Sequence, residues 1–182
     1  MNKILEEMCQ RNGVSITAGR DYHESLQQHI AYVQEAGRKL GVPESLLAVH
    51  DDSKFTAAEF PHYARQFHDG GGDDEGFARA WLHHENVNPH HWGYWIPRSG
   101  KYAGKPLEMP QIYVREMIAD WMGANRAYEG TWNMAQWLST KGPGLKLHES
   151  TATMIHAILE DDLGYRFTDN APWICVHGPS LK

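Results

Sequence analysis

Apolar residues recur at helical spacing along most of this chain, and no alternating strand pattern runs for more than a few residues. The first strong helix is predicted from Tyr22 to Leu40, with Leu26, Ile30, Val33 and Leu40 on its apolar face, Gly41 as a stop and Pro43 just beyond. A short helix follows from Pro43 through Leu46, Leu47 and Val49 to the pair His50-Asp51. Thr56 and Glu59 read as a capping box for a third helix carrying Phe60, Tyr63, Ala64 and Phe67 and ending at Gly70-Gly71-Gly72. Asp73 or Asp74 caps a fourth, Glu75 to about Glu85, with Phe77, Ala80, Trp81 and His84 at helical spacing. Residues 86–109 form a long irregular segment rich in aromatics, the signature of a lid or binding loop. Further helices are expected from Pro110 to Glu129 (with Ile112, Met117, Trp121 and Ala124 inside), from Trp132 to Leu138, and from Glu149 to Leu163. The tail from Tyr165 onward, with Pro172 and Pro179, reads as extended or irregular. The expectation is an all-α, single-domain helical bundle with a long aromatic loop, its core at about 22–163 and residues 164–182 as an irregular tail.

Composition narrows the function more than the fold. At 182 residues the chain is long enough for a real core. A net charge of -6 argues against a nonspecific nucleic-acid coat or a polybasic membrane patch. The longest apolar runs are too short to span a bilayer, and the opening MNKILEEMCQRNG lacks an apolar stretch of signal-peptide length. Two cysteines, Cys9 and Cys175, form neither a disulfide framework nor a CxxC pair, and read as reduced thiols of a cytoplasmic protein. Twelve histidines in a chain this size call for a chemical reason.

Those histidines fall in an ordered series with two aspartates. His29 comes first, then His50-Asp51 in the run HDDSK, then His83-His84, His90-His91 and Asp120. Imidazole and carboxylate suit divalent transition metals. His29 borders the apolar face of its helix, and Asp120 lies between Met117 and Ala124, where a carboxylate is costly unless paired or bound to an ion. His84 follows Trp81, Ala80 and Phe77 at helical spacing and faces the core, leaving His83 to point elsewhere or to support it. His90 and His91 are equal candidates. The second His-Asp pair, His68-Asp69, leads into the glycine run and reads as a polar loop.

The order His, His-Asp, His, His, Asp on consecutive helices resembles the HD-domain superfamily of metal-dependent phosphohydrolases, and HDDSK matches its His-Asp-x-x-Lys form. The string HDDSKF…EFPHYARQF…FARAWLHHENVNPHHWGYW…REMIADW is also similar to a little-characterised family of phage and bacterial proteins related to that superfamily, over most of residues 22–125. The resemblance implies that His29, His50, Asp51 and Asp120 hold a first metal ion. It also implies that His84 with His90 or His91 holds a second, as in HD-GYP phosphodiesterases and HD-type diiron oxygenases. Only about six residues separate His84 from His90, a shorter gap than in those two-metal families.

The chemistry expected is hydrolysis of a phosphoester on a nucleotide-like small molecule, with one or two divalent ions (Mn, Fe, Co, Ni, Zn or Mg) and Asp51 at the reacting centre. Lys54 is expected to neutralise a phosphate oxygen. Asp52 and Glu85 are candidates to orient ligand imidazoles. Arg98, Lys101 and Lys105, beside Tyr94, Trp95 and Tyr102, suit a substrate with both phosphate and a ring. The rivals are an HD-fold diiron oxygenase and a non-catalytic, metal-stabilised binding protein.

Overall fold

The computed structural model describes residues 1–168 and 171–178; Pro179, assigned above to the tail, lies outside them. The described chain is mostly helical, as the hydrophobic periodicity predicts. It divides into two compact units, Met1–Ile30 with Val49–Asn88, and Ala31–Ala48 with the chain from Pro89 onward.

The first unit holds a helix absent from the sequence reading, α1 (Lys3–Arg11). Ile4, Leu5, Met8 and Cys9 stand at helical spacing along its nine residues, and Leu5 and Cys9 are buried. Asn2 caps it, its side-chain oxygen accepting from the Leu5 amide at 3.1 Å. The long helix α2 (Ile16–Lys39) starts six residues ahead of its expected start and gives its first part to this unit. Asp69 explains that start. Its carboxylate accepts from both the amide and the hydroxyl of Ser15, each at 3.0 Å. The His68-Asp69 pair is thus a helix-end tie.

The rest of this unit is a 3-10 turn, Asp52–Phe55, and two helices, α4 (Phe60–His68) and α5 (Asp74–Val87). The expected capping box does not form. Glu59 itself occupies the N-cap of α4 and makes no cap hydrogen bond there, and the Thr56 hydroxyl donates to the Ser53 carbonyl. Asp73 caps α5, accepting from the Gly76 amide at 3.1 Å. Tyr22, Leu26, Phe60, Tyr63 and Ala64 dominate the unit's buried cluster. Phe67, expected on the apolar face of α4, is exposed.

The second unit takes the end of α2 and a single turn, α3 (Glu44–Leu47), shorter than the helix expected to reach His50. It continues with a 3-10 turn at Trp92–Trp95 and then α6 (Gln111–Glu129), α7 (Ala135–Lys141) and α8 (Glu149–Ala157), the last extended by a π-helical turn, Ile158–Asp162. Pro110 precedes α6 and Gly130, at φ 71°, ends it. Within α6, Ile112 is exposed, against expectation, while Met117, Ile118 and Trp121 are buried. Trp132 is buried in the turn before α7 rather than in the helix, its ring edge-on to Tyr32 at 5.6 Å. The core also takes Val33, Leu47, Met134, Leu138, Ile155, Leu159 and Tyr165.

The described part of the tail takes the extended form, as a hairpin. β1 (Arg166–Thr168) and β2 (Ala171–His177) pair antiparallel, with Phe167 opposite Cys175. Register shifts on either side of Phe167 leave no run of alternation long enough to read from sequence. Among the described residues no helix is long and apolar enough to cross a membrane.

Candidate metal centre

Asp51 is the centre of the polar cluster of the first unit. It follows α3 and the turn through His50, and its backbone is left-handed, φ 62° and ψ 14°, the one positive φ among described non-glycine residues. Asp is among the few side chains that tolerate that region. The left-handed step turns the chain into the 3-10 turn Asp52–Phe55 and leaves the Asp51 side chain wholly buried.

Three imidazoles point their Nε2 atoms at this carboxylate. His29, on α2, lies 3.3 Å from Oδ2, and His50 lies 3.7 Å from the same oxygen. His84, on α5, lies 3.3 Å from Oδ1. All three histidines are buried. His29, His50 and Asp51 bring one ligand atom each within 4.8 Å of one another. Lys54, three residues on, donates to Oδ2 at 2.6 Å. Burial by itself pushes the Asp51 carboxyl up. The Lys54 ammonium, followed by His50, His29 and His84, outweighs it and holds the group well below the usual carboxylate range.

The donor set fits a divalent first-row ion. Atoms bound to one ion at about 2.0–2.2 Å stand roughly 3–3.5 Å apart, close to the separations around Asp51. Imidazole nitrogen with carboxylate oxygen is the ligand chemistry of Zn, Mn, Fe, Co and Ni. The two oxygens of Asp51 face different imidazoles, Oδ2 those of His29 and His50 and Oδ1 that of His84.

Behind His84 stands a residue the sequence reading assigned elsewhere. Glu59 is fully buried, and its carboxylate accepts from His83 Nδ1 at 2.6 Å and from His84 Nδ1 at 2.9 Å. Burial pushes this carboxyl up, but the bonds from His84, His83 and Ser53 hold it below its ordinary value. Burial likewise lowers His84, with Glu59 partly offsetting it. Of the expected orienting carboxylates, Asp52 is exposed and Glu85 half-buried.

The second unit has a polar group of its own. His90 is buried and its Nδ1 lies 3.4 Å from Oε1 of Glu116, itself buried on α6. His91 packs beside His90, ring centres 4.3 Å apart. Asp120, half-buried, lies one turn along α6 from Glu116. Glu116 was not anticipated; between Arg115 and Met117 it reads as an ordinary surface charge.

The loop cations Arg98, Lys101 and Lys105 are exposed. Their loop is cross-tied, the Leu107 amide donating to the Trp95 carbonyl at 2.9 Å and the Gly104 amide to the Pro97 carbonyl at 2.7 Å. Trp95 anchors it. Its indole donates to the Pro89 carbonyl at 2.8 Å, and its ring packs between Tyr94 and Tyr113.

A family model described as a family of unknown function (DUF5662) matches residues 19–161. That is most of the chain, which belongs to this family. Comparison with the curated proteins gives no match, and neither does comparison with the solved structures.

Proposed function

We propose that the protein is a metal-dependent phosphohydrolase acting on a nucleotide or nucleotide-like phosphoester. The observation that carries this reading is the fully buried Asp51 carboxylate with three imidazole Nε2 atoms and the Lys54 ammonium gathered on it. The order of these residues and the His-Asp-x-x-Lys run, which resemble the HD superfamily, support the choice of reaction.

In this reading His29, His50 and His84 bind through Nε2, and Asp51 supplies the compensating negative charge. A divalent ion, when bound, supplies Lewis acidity and brings the pKa of water toward 7. Lys54, held against Asp51, is placed to meet the charge that builds on a phosphate oxygen. Within the second unit, the exposed cations Arg98, Lys101 and Lys105, with Trp95 holding their loop in shape and Tyr94 and Tyr102 exposed, suit phosphate and a base by their own chemistry. The second unit offers its own candidate ligands, His90, His91, Glu116 and Asp120. The complement is one or two ions. A small phosphorylated molecule fits a net charge of -6 better than a nucleic-acid duplex does.

The two faces of Asp51 favour one second reading, an HD-fold diiron oxygenase in which Asp51 would be one of the ligands. Metal analysis of the purified protein beside Asp51→Ala tests the centre. A screen of nucleotides for phosphate release with Mn, Co, Mg, Ni and Fe tests the reaction. Release that disappears in Asp51→Ala supports hydrolysis. Absence of release from any phosphoester by loaded protein overturns it, and oxygen consumption by iron-loaded protein selects the second reading. Bound metal with neither activity leaves a metal-stabilised binding protein.

A further inference from the structure

We infer that Glu59 is a positioning residue: its carboxylate keeps the proton of His84 on Nδ1 and so turns the Nε2 lone pair toward Asp51. This deepens the metal reading and depends on it for its consequence, although the tautomer itself does not require an ion.

An ionised carboxylate only accepts hydrogen bonds, so the contacts from Glu59 to His83 Nδ1 and His84 Nδ1, at 2.6 and 2.9 Å, require a hydrogen on each nitrogen. Two neighbours compete. The Asn88 side-chain nitrogen lies 2.9 Å and the Ser53 hydroxyl oxygen 3.1 Å from His84 Nδ1, and either, as a donor to it, would force the opposite tautomer. Both Asn88 hydrogens are engaged elsewhere, on Ser53 Oγ and on the His84 carbonyl, each at 2.8 Å. The single Ser53 hydroxyl hydrogen goes to Glu59, which as an ionised carboxylate is the stronger acceptor. With Glu59 ionised the network runs from Asn88 to Ser53, from Ser53 to Glu59, and from both histidines to Glu59.

A neutral imidazole carries one N–H, so His84 Nε2 is a lone pair. It stands 3.3 Å from Asp51 Oδ1, two acceptors facing each other in a buried place. That is the disposition a cation binds between, and carboxylates that hold the far nitrogen of a ligand imidazole are worth about 10–100-fold in metal affinity. His83 is the second half of the device. It occupies the other oxygen of Glu59 and keeps the carboxylate from rotating away from His84.

The test reads the proton directly. Long-range 1H–15N correlation of the His84 ring in metal-free wild-type protein is expected to show N–H at Nδ1 and an unprotonated Nε2. Glu59→Gln is expected to give mixed tautomers and a zinc affinity about 10–100-fold weaker by calorimetry. A wild-type His84 protonated on Nε2 overturns the inference, and this measurement stands even if the variant fails to fold. A Glu59→Gln protein with unchanged tautomer and unchanged zinc affinity overturns it as well. If wild type holds the Nδ1–H tautomer and Glu59→Gln loses it, but zinc binds neither protein, Glu59 still positions the ring and the metal reading is what fails.

Discussion

Lys54 and Asp51 form a close charge pair in the candidate centre, 2.6 Å from Nζ to Oδ2 across three residues, with the carboxylate fully buried and the lysine side chain 14% exposed. A lysine placed this way does two things. It compensates the buried carboxylate in the absence of an ion, and it remains beside any ion that the histidines hold.

Replacing Lys54 with Met is therefore expected to cost about 3 kcal/mol of stability, because it strands a buried charge. Zinc restores part of that loss by supplying positive charge to the same carboxylate. Urea unfolding with and without zinc measures both effects. If the protein turns over a phosphoester, kcat falls about a hundredfold in the same variant, the usual scale for removing one charge-stabilising group.

Asp51 is constrained twice, by its charge and by its left-handed backbone. Asp51→Asn removes the charge and keeps a side chain that tolerates φ 62°. Asp51→Ala removes the charge and adds about 1–2 kcal/mol of backbone strain. Both are expected to lose zinc binding by calorimetry, with the Ala variant less stable than the Asn variant by about that difference. Equal stability of the two would show that the backbone does not hold that conformation.

Gly123, inside α6, is expected to resist any side chain. A Cβ there would stand 2.5 Å from Val33 Cγ2 and 2.8 Å from the Val33 backbone nitrogen, and the second neighbour cannot rotate away. Gly123→Ala should destabilise by about 1–3 kcal/mol through overpacking, despite the better helix propensity of alanine. Thermal unfolding of the variant checks this.

Alkaline stability should depend on Tyr165. Burial raises its phenol to about 12, and its oxygen accepts from the Met134 amide at 2.8 Å. The unfolded phenol loses its proton near 10, so between those values the folded protein holds a proton that the unfolded chain has released. Raising the pH there favours unfolding. This contribution is intact below pH 10 and is lost through pH 12, about 2–3 kcal/mol in all. Tyr165→Phe is expected to cost about 1–3 kcal/mol at neutral pH by stranding the Met134 amide, and to flatten the alkaline decline. Urea midpoints at pH 8 and pH 11, compared between the two proteins, give the answer.

The parts of this molecule legible from sequence are those written as local periodicity. His29 and His84 stood out because imidazoles on an apolar helix face break its pattern, and His50-Asp51 because it closes an apolar run. Glu59 was invisible for the opposite reason. Three residues after Thr56 it satisfies a local rule, and the partners that claim it lie 24 and 25 positions away on α5. Glu116 hid in the same way, its partner His90 being 26 positions back along the chain. The β1–β2 hairpin escaped because three paired residues with a shifted register leave no period to detect.

The grip of Glu59 on two successive histidines also bears on how α5 is held. Adjacent residues project about 100° apart around a helix, so one carboxylate bonded to both fixes the angle at which α5 faces its neighbours. Apolar contacts hold the same helix: Ala80 is buried and Phe77 stands edge-on to Tyr63 at 5.3 Å, while Leu82 and Val87 are exposed. The seating of α5 and the aim of one imidazole are then coupled, and amide exchange along residues 74–87 becomes a gauge of the state of that ring.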